Sequence, residues 1–355
     1  MREPLLSVII PTLNEADALP GLLTQLHGQQ GVALEVIVAD GGSQDGTCSL
    51  ARAKGAKWVE APRGRGAQMC AGAAVARGEA LLFLHADASL TDPCQLARAL
   101  ATLDQERQRL GQDCVAGHFV LHFQGAEGVL ARRLRFHAAK SALNRAGCTN
   151  GDQGFLLSRS FYQALGGFDP QLAFMEDQEL ALRIRRAGVW ITLPGVLATS
   201  ARRFQREGYG RRTLLNALIM TCHHTGWKSF LHQAPDLYRQ QDRTRPLRLA
   251  PFFRLLGRLD RADGLRVAWQ RWRAIGHYAR QAEWQLFFLL DVALLAKDCD
   301  ALHVCPAHPC LDFHDRVWQR WTRFMLFDWL VMGLVWLGFR LAWGWYTIRK
   351  FFEND

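Results

Sequence analysis

An α/β fold is predicted for the first part of this chain, a mostly parallel sheet flanked by helices, followed by a mainly helical C-terminal extension. Three observations predict it. Short apolar runs alternate with helix-spaced stretches, the pattern of a sheet covered by helices. Polar, Gly-bearing motifs follow the runs, where open α/β sheets place their ligands. Near Ser229 the alternation gives way to Arg-, Gln- and Asp-rich sequence.

The apolar runs are Leu5–Ile10, Leu34–Ala39, Lys57–Glu60 and Ala80–His85. Between them Leu19–Gln29, Asp45–Lys54 and Ala67–Arg77 repeat apolar residues at helical spacing. Further on, Gln95–Leu110 reads as a charged helix, Val115–Phe123 as a strand, and Met175–Arg186 as a helix that opens with Glu176 and Asp177. The stretch from Ser229 to about Arg273 reads as a linker or an exposed helical layer, and Leu286–Ala296 and Phe324–Ile348 are strongly apolar. The expected division is a domain over 1–228 and an extension over 229–355.

With 355 residues, 49% hydrophobic and 21% charged, the chain has ample material for a core. A net charge of +10 fits phosphate-bearing ligands, an anionic membrane or nucleic acid without choosing among them. Only charge speaks for nucleic acid, so no nucleic-acid partner is expected. The nine cysteines are an odd number, and most stand in apolar or Gly/Ala-rich runs, which suits a reducing compartment. The first apolar run ends at Pro11, too soon for a secretory h-region, so a cytoplasmic catalytic side is expected.

Chemistry is concentrated in four places. Pro11-Thr12-Leu13-Asn14-Glu15 follows the first run, and Asp40-Gly41-Gly42-Ser43-Gln44-Asp45 the second. A carboxylate at the end of a buried strand can accept from a base edge or a ribose, and the glycines admit a ligand close to the backbone. Ser43 and Asp45 serve equally well as the start of a helix. These residues resemble the opening of the family 2 glycosyltransferases of GT-A fold, and within them the small bacterial transferases grouped with radical-SAM and seleno- or arsenosugar genes. The resemblance covers roughly 5–210. It implies a nucleoside pocket lined by Pro11, Asn14, Glu15 and Asp40, with Asp40 reading the base.

The second place is Pro62-Arg63-Gly64-Arg65-Gly66, which opens a helix. Arg63 and Arg65 beside exposed backbone N–H groups suit a diphosphate, while an exposed basic turn is the plainer reading. The third is Leu84-His85-Ala86-Asp87, where the resemblance implies Asp-x-Asp but His85 replaces the first carboxylate. Asp87 can still hold Mn2+ or Mg2+ with two phosphate oxygens. His85 suits Mn2+ better than Mg2+, or else contacts ribose or sugar.

The fourth is Glu176-Asp177, which resembles the family's base motif. Attack by an acceptor hydroxyl needs a carboxylate to take its proton, a role that falls to Asp177, with Glu176 orienting or touching the acceptor. Acidic residues also favour any helix start. The Asn150–Gly154 loop, through Asp152 and Gln153, resembles the acceptor side of the subgroup. Arg202 and Arg203 either neutralise the leaving diphosphate or form a basic surface patch.

Two features of the tail stand apart. Cys299, His303, Cys305, His308, Cys310 and His314 cluster either as a zinc site or as a cysteine-bearing loop. Phe324–Ile348 is long enough to span a bilayer, and equally suits a helix in the membrane surface or one packed on protein. The combined expectation is a metal-dependent transferase moving a sugar from a UDP-sugar to a sugar, lipid-linked or small-molecule hydroxyl by inverting displacement. It would work in the cytoplasm, at the inner face of the membrane if the tail attaches. The alternatives are a nucleotidyltransferase, which would carry a Gly-rich basic loop after the first strand, and a non-catalytic nucleotide-binding membrane protein.

Overall fold

The computed structural model describes residues 5–241, 246–295 and 307–352. The chain forms two compact units, Met1–Ala201 and Arg202–Asp355. The division falls earlier than the 228/229 boundary expected from composition. Helices between 202 and 228 pack with the later ones, and local polarity does not report that packing.

The first unit begins β1 (Leu5–Thr12), α1 (Leu19–His27), β2 (Ala33–Asp40), α2 (Thr47–Ala53), β3 (Lys57–Glu60) and α3 (Arg65–Ala74). It continues with β4 (Ala80–Phe83), β5 (Ser89–Leu90), α4 (Gln95–Leu110), β6 (Val115–Gln124) and α5 (Gly128–Ser141). A 3-10 turn at Gly151–Gln153 leads into β7 (Phe155–Ser158), α6 (Arg159–Ala164), α7 (Glu176–Ala187) and β8 (Val189–Ser200). One eight-stranded sheet runs in the order β3-β2-β1-β4-β7-β6-β8-β5. The first four strands are mutually parallel, as expected. Beyond them the sheet is mixed, because β7 lies antiparallel to both β4 and β6, and β5 antiparallel to β8.

Both faces of the sheet are covered, so alternate residues of one strand enter different cores. Leu6, Val8 and Ile10 join Leu19, Leu22, Leu23 and Leu26 of α1 and the apolar face of α4. Ile9, Ile37, Leu81 and Phe83 join Met69 of α3 and Leu180 and Ile184 of α7 on the other side. Strands buried on both faces read as continuous apolar runs, which is why they stand out in the sequence. Full burial of each such side chain contributes about 1.5–3 kcal/mol.

The second unit is helical: α8 (Arg202–Glu207), α9 (Tyr209–His224), α10 (Lys228–Arg239), α11 (Ala250–Ala262), α12 (Gly264–Gln281) and α13 (Trp284–Leu295). Then come α14 (Pro309–Phe313), a π turn at His314–Trp318, α15 (Gln319–Trp321) and α16 (Met325–Phe352). Cys299, His303 and Cys305 lie outside the described residues. Among the described residues no three His, Cys, Asp or Glu side chains gather as a metal cage. His314 is buried, 2.8 Å from Asp315, and the Cys310 N–H donates to Asp291 at 2.8 Å.

Candidate active site

The sheet brings the motifs to one edge. β1 to β4 run parallel, so the loops that leave them emerge together. β7 runs the opposite way, with Phe155 opposite Phe83, so the 149–154 loop reaches that edge from the other direction.

At the first pair of loops Asp40 is the hub. Its Oδ1 accepts from the Thr12 hydroxyl at 2.9 Å and from the Ser43 hydroxyl, and its Oδ2 from the Gly42 and Ser43 N–H groups at 2.9 and 2.7 Å. A carboxylate offers about four lone-pair positions, and these four bonds fill them. With 1% of its surface exposed, Asp40 shapes the loop; to read a base it would have to give up one of these bonds. Asn14 adopts a left-handed φ of 56° and accepts the Gln44 N–H at 2.8 Å. The Glu15 N–H donates to Thr47 at 2.9 Å, and Asp45 accepts from the N–H groups of Ala16 and Thr47. Asp45 therefore takes up the helix-start role and ties the two loops together. Asn14 is exposed while Pro11 is buried.

Gln68 went unassigned in the sequence and fixes the same corner. Buried in α3, its amide donates to the Thr12 and Ala39 carbonyls at 2.6 and 3.0 Å, holding the ends of β1 and β2 together. Nothing in its sequence position signals this, since both partners come from other elements.

A second cluster forms where α3, α7 and the 149–154 loop meet. Arg65 opens α3 and places Nε 2.6 Å from Glu176 at the start of α7. Glu176 is 1% exposed and bound to Arg65 through Oε1, so it ties α3 to α7, while its Oε2 is buried without a hydrogen-bond partner. Burial raises its pKa, with Arg65 opposing; the neighbouring Glu176 in turn raises that of Arg65. Arg63 lies exposed in the preceding loop. Met175, immediately before Glu176, is a buried non-glycine residue at φ 68°. Such a conformation costs about 1–3 kcal/mol and persists where its surroundings impose it.

Asp177 and His85 converge on Gly151. The Gly151 N–H donates to Asp177 Oδ2 at 2.8 Å, and the Gln178 N–H to Oδ1 at 2.8 Å. A Cβ on Gly151 would stand 3.2 Å from Asp177 Oδ2 and 3.4 Å from His85 Nε2. The next residue, Asp152, has a buried Oδ1 with no hydrogen-bond partner. Burial pushes its carboxyl up to about 7, helped by the negative charges of Asp177 and Asp87 and opposed by Arg65. Gln153, expected on the acceptor side, is fully buried. Its amide accepts from the Asn150 N–H at 2.7 Å and donates to the Ser141 carbonyl at 2.9 Å, so it holds the turn that presents Asp152.

Asp87 follows β4 and is half-buried. The unpartnered Asp152 oxygen and the mutual repulsion of the acids mark a spot that a cation would neutralise. A hard ion taking one or two carboxylates and completing its shell with phosphate oxygens suits this donor set. Arg202 and Arg203 are exposed at the start of α8, in the second unit.

Residues 7–165 match the family model described as Glycosyl transferase family 2. That match lies wholly within the first unit, where residues 7–165 are similar to a family 2 glycosyltransferase domain. Curated relatives of this domain include the PGL/p-HBAD biosynthesis glycosyltransferases of Mycobacterium bovis and Mycobacterium tuberculosis, 34% identical over 128 residues. That match covers 34% of this chain and 49% of the relative, so the chain spans about half the length of the curated relatives it matches. Among solved structures, the mannosyltransferase PcManGT from Pyrobaculum calidifontis, in complex with GDP-Man and Mn2+, is 18% identical with a TM-score of 0.45, covering 94% of this chain and 87% of that one. S. aureus TarS 1-349 in complex with UDP is 20% identical with a TM-score of 0.42, covering 55% and 60%.

Proposed function

We propose that this chain is a divalent-metal-dependent glycosyltransferase that moves a sugar from a nucleotide-diphosphate sugar, a UDP-sugar in the first instance, to an acceptor hydroxyl with inversion. The observation that carries the reading is the convergence of Asp177 and His85 on Gly151, with Asp87 and Asp152 close enough to act on one another's charge. It sits at the carboxyl edge of the parallel strands, within or beside the family 2 domain.

In this reading the acceptor hydroxyl lies against Asp177, whose two oxygens each keep a lone pair beyond the bonds from Gly151 and Gln178. As the acceptor oxygen bonds to the anomeric carbon, its proton passes to Asp177. The bond from that carbon to the diphosphate breaks, and its electron pair leaves with the phosphate. Asp87 would hold Mn2+ or Mg2+ with the diphosphate, and the ion when bound supplies charge neutralisation to the leaving group. Asp152, whose Oδ1 is buried without a partner, borders the acceptor side of the same space. His85 borders the same space, and Arg63 with the exposed part of Arg65 faces the diphosphate. Asn14, Glu15 and Asp40 frame the nucleoside loop. Pro-Thr-Leu-Asn-Glu, which ends β1 and begins the loop after it, is not the Gly-rich basic loop of a nucleotidyltransferase. The radical-SAM-associated subgroup and a cytoplasmic setting belong to the same proposal.

The test is donor turnover and binding across a panel of nucleotide-sugars with Mn2+, Mg2+ or EDTA, for wild type, Asp87→Ala and Asp177→Asn. Metal-dependent turnover of one donor is expected, with Asp87→Ala losing donor binding and Asp177→Asn losing mainly rate. Failure of every nucleotide-sugar to bind with any metal would sink the proposal.

A further inference from the structure

The two units show solvent very different surfaces. The first carries 19 Lys and Arg against 19 Asp and Glu; the second carries 24 against 14, so the whole net charge of +10 belongs to the second. Apolar exposure is divided just as unevenly. Among the described residues every exposed large hydrophobic side chain except Val129 lies between Leu265 and Trp345. A surface both cationic and apolar on this scale marks an interaction site, and its chemistry matches an anionic phospholipid surface.

Helix α16 shows how the surface is built. Within the second unit, one face packs on α11 and α12. Met332 is buried against Gly276, where a Cβ would come within 2.7 Å of it. Phe339 lies 5.6 Å from Phe253 and 5.3 Å from Trp272, ring centre to ring centre. Asp328 pairs with Arg280, and with His277 at 3.0 Å. The opposite face carries Leu326, Leu330, Leu334, Leu337 and Leu341, each at least half exposed. Just before the helix, Arg316, Arg320 and Arg323 are exposed, and Arg340 lies 5.0 Å above the Trp336 ring.

By length and a mean hydropathy of 1.6, Met325–Tyr346 qualifies to cross a membrane. Its packed face argues otherwise. Crossing as a lone span would strip Asp328 from Arg280 and leave a carboxylate in hydrocarbon, which is costly. A helix with one face fastened to protein and the other apolar and bare, with arginines at its edge, suits the plane of the interface.

We propose that the second unit is an in-plane docking platform for anionic phospholipid bilayers, with the exposed face of α16 sunk to the headgroup–acyl boundary and Arg316, Arg320 and Arg323 on lipid phosphates. The inference stands apart from the transferase reading, since it uses neither donor nor turnover.

The experiment is flotation of the full chain with vesicles of phosphatidylcholine, alone or mixed with phosphatidylglycerol, at rising salt. Binding to the anionic vesicles is expected to be at least about tenfold tighter and to weaken with salt. The double variant Leu330→Asp, Leu337→Asp should lose about tenfold or more of that binding. The triple variant Arg316→Gln, Arg320→Gln, Arg323→Gln should lose only the preference for anionic lipid. On wild type, alkaline carbonate should release the bound protein, and lipids brominated near the headgroup should quench tryptophan more than those brominated at the chain ends. Equal binding to both vesicles, carbonate-resistant retention or deeper quenching would each overturn the proposal. So would flotation with neither vesicle; a lipid-free dimer in that case would name a second copy as the cover of this face.

Discussion

Asp152 keeps its proton over a range in which an ordinary carboxyl has lost it. Its folded-state pKa is about 7, against about 4 in an unfolded chain. Between those values the folded state binds the extra proton, so the stability this group contributes falls as pH rises through the window from about 4 to 7. Asp152→Asn removes the ionisation. Without nucleotide or metal, the variant should gain on the order of 1–2 kcal/mol over wild type at pH 8 and much less at pH 5. Urea denaturation at both pH values checks this, and an equal gain at both would contradict it. Gln153 and Asp177 separate scaffold from chemistry. Gln153→Ala leaves the buried Ser141 carbonyl and the part-buried Asn150 N–H unpaired and should cost about 2–3 kcal/mol of stability. Asp177→Asn should leave stability nearly unchanged and lower transfer by about 10²–10⁴. Equilibrium unfolding beside turnover assays tells the two apart. The sequence made these residue types legible, since polar groups after buried runs stand out. Depth and partners were not legible: Asp40 is saturated by Thr12 and the Gly42-Ser43 backbone, and Gln153 by Ser141, contacts that only folding creates.

Elements were legible wherever burial imposed a long pattern. The first four strands and the α4 helix lie where apolar periodicity places them, because two-sided burial keeps β1, β2 and β4 largely apolar, with the buried Ser7 and Glu35 bonded to each other. β7 was missed, since its four residues Phe155–Ser158 merge with the Gly-rich turn before them, and with it the switch to an antiparallel neighbour. That switch carries the 149–154 loop to the active edge. Helix α3 needs equally close contact. A Cβ at Gly72 would stand 2.5 Å from Ile9 Cγ2, and one at Gly66 2.6 Å from the Asp169 carbonyl. Gly72→Ala should therefore destabilise by about 1–3 kcal/mol through overpacking. Gly66→Ala should do the same and also loosen the Arg65–Glu176 pair. Gly21 in α1 has open space around its Cα, and Gly21→Ala should stabilise by roughly 0.5–1 kcal/mol. Chemical denaturation of the three variants checks the signs, and a stabilised Gly72→Ala would mean that α3 can retreat from β1.

At the scale of the molecule, two compact units of different charge and surface should answer to different ligands. The acids expected to meet a metal and nucleotide all lie in the first unit, and the cationic, apolar face lies in the second. Anything that binds only the folded first unit stabilises it by mass action, about 2.7 kcal/mol at a hundred times the dissociation constant. Scanning calorimetry of the full chain should then resolve two transitions, of which UDP with Mn2+ raises one. Replacing Mn2+ by EDTA should remove most of that rise, because the diphosphate would lose the charge neutralisation of the ion that Asp87 would hold. Asp87→Ala should behave with Mn2+ as wild type does with EDTA. The other transition should ignore nucleotide and respond to anionic lipid. A single transition that moves as a whole would mean that the units unfold together. Two transitions, both indifferent to UDP and Mn2+, would remove the metal and the nucleotide from the site while leaving the lipid platform to be judged by its own experiment.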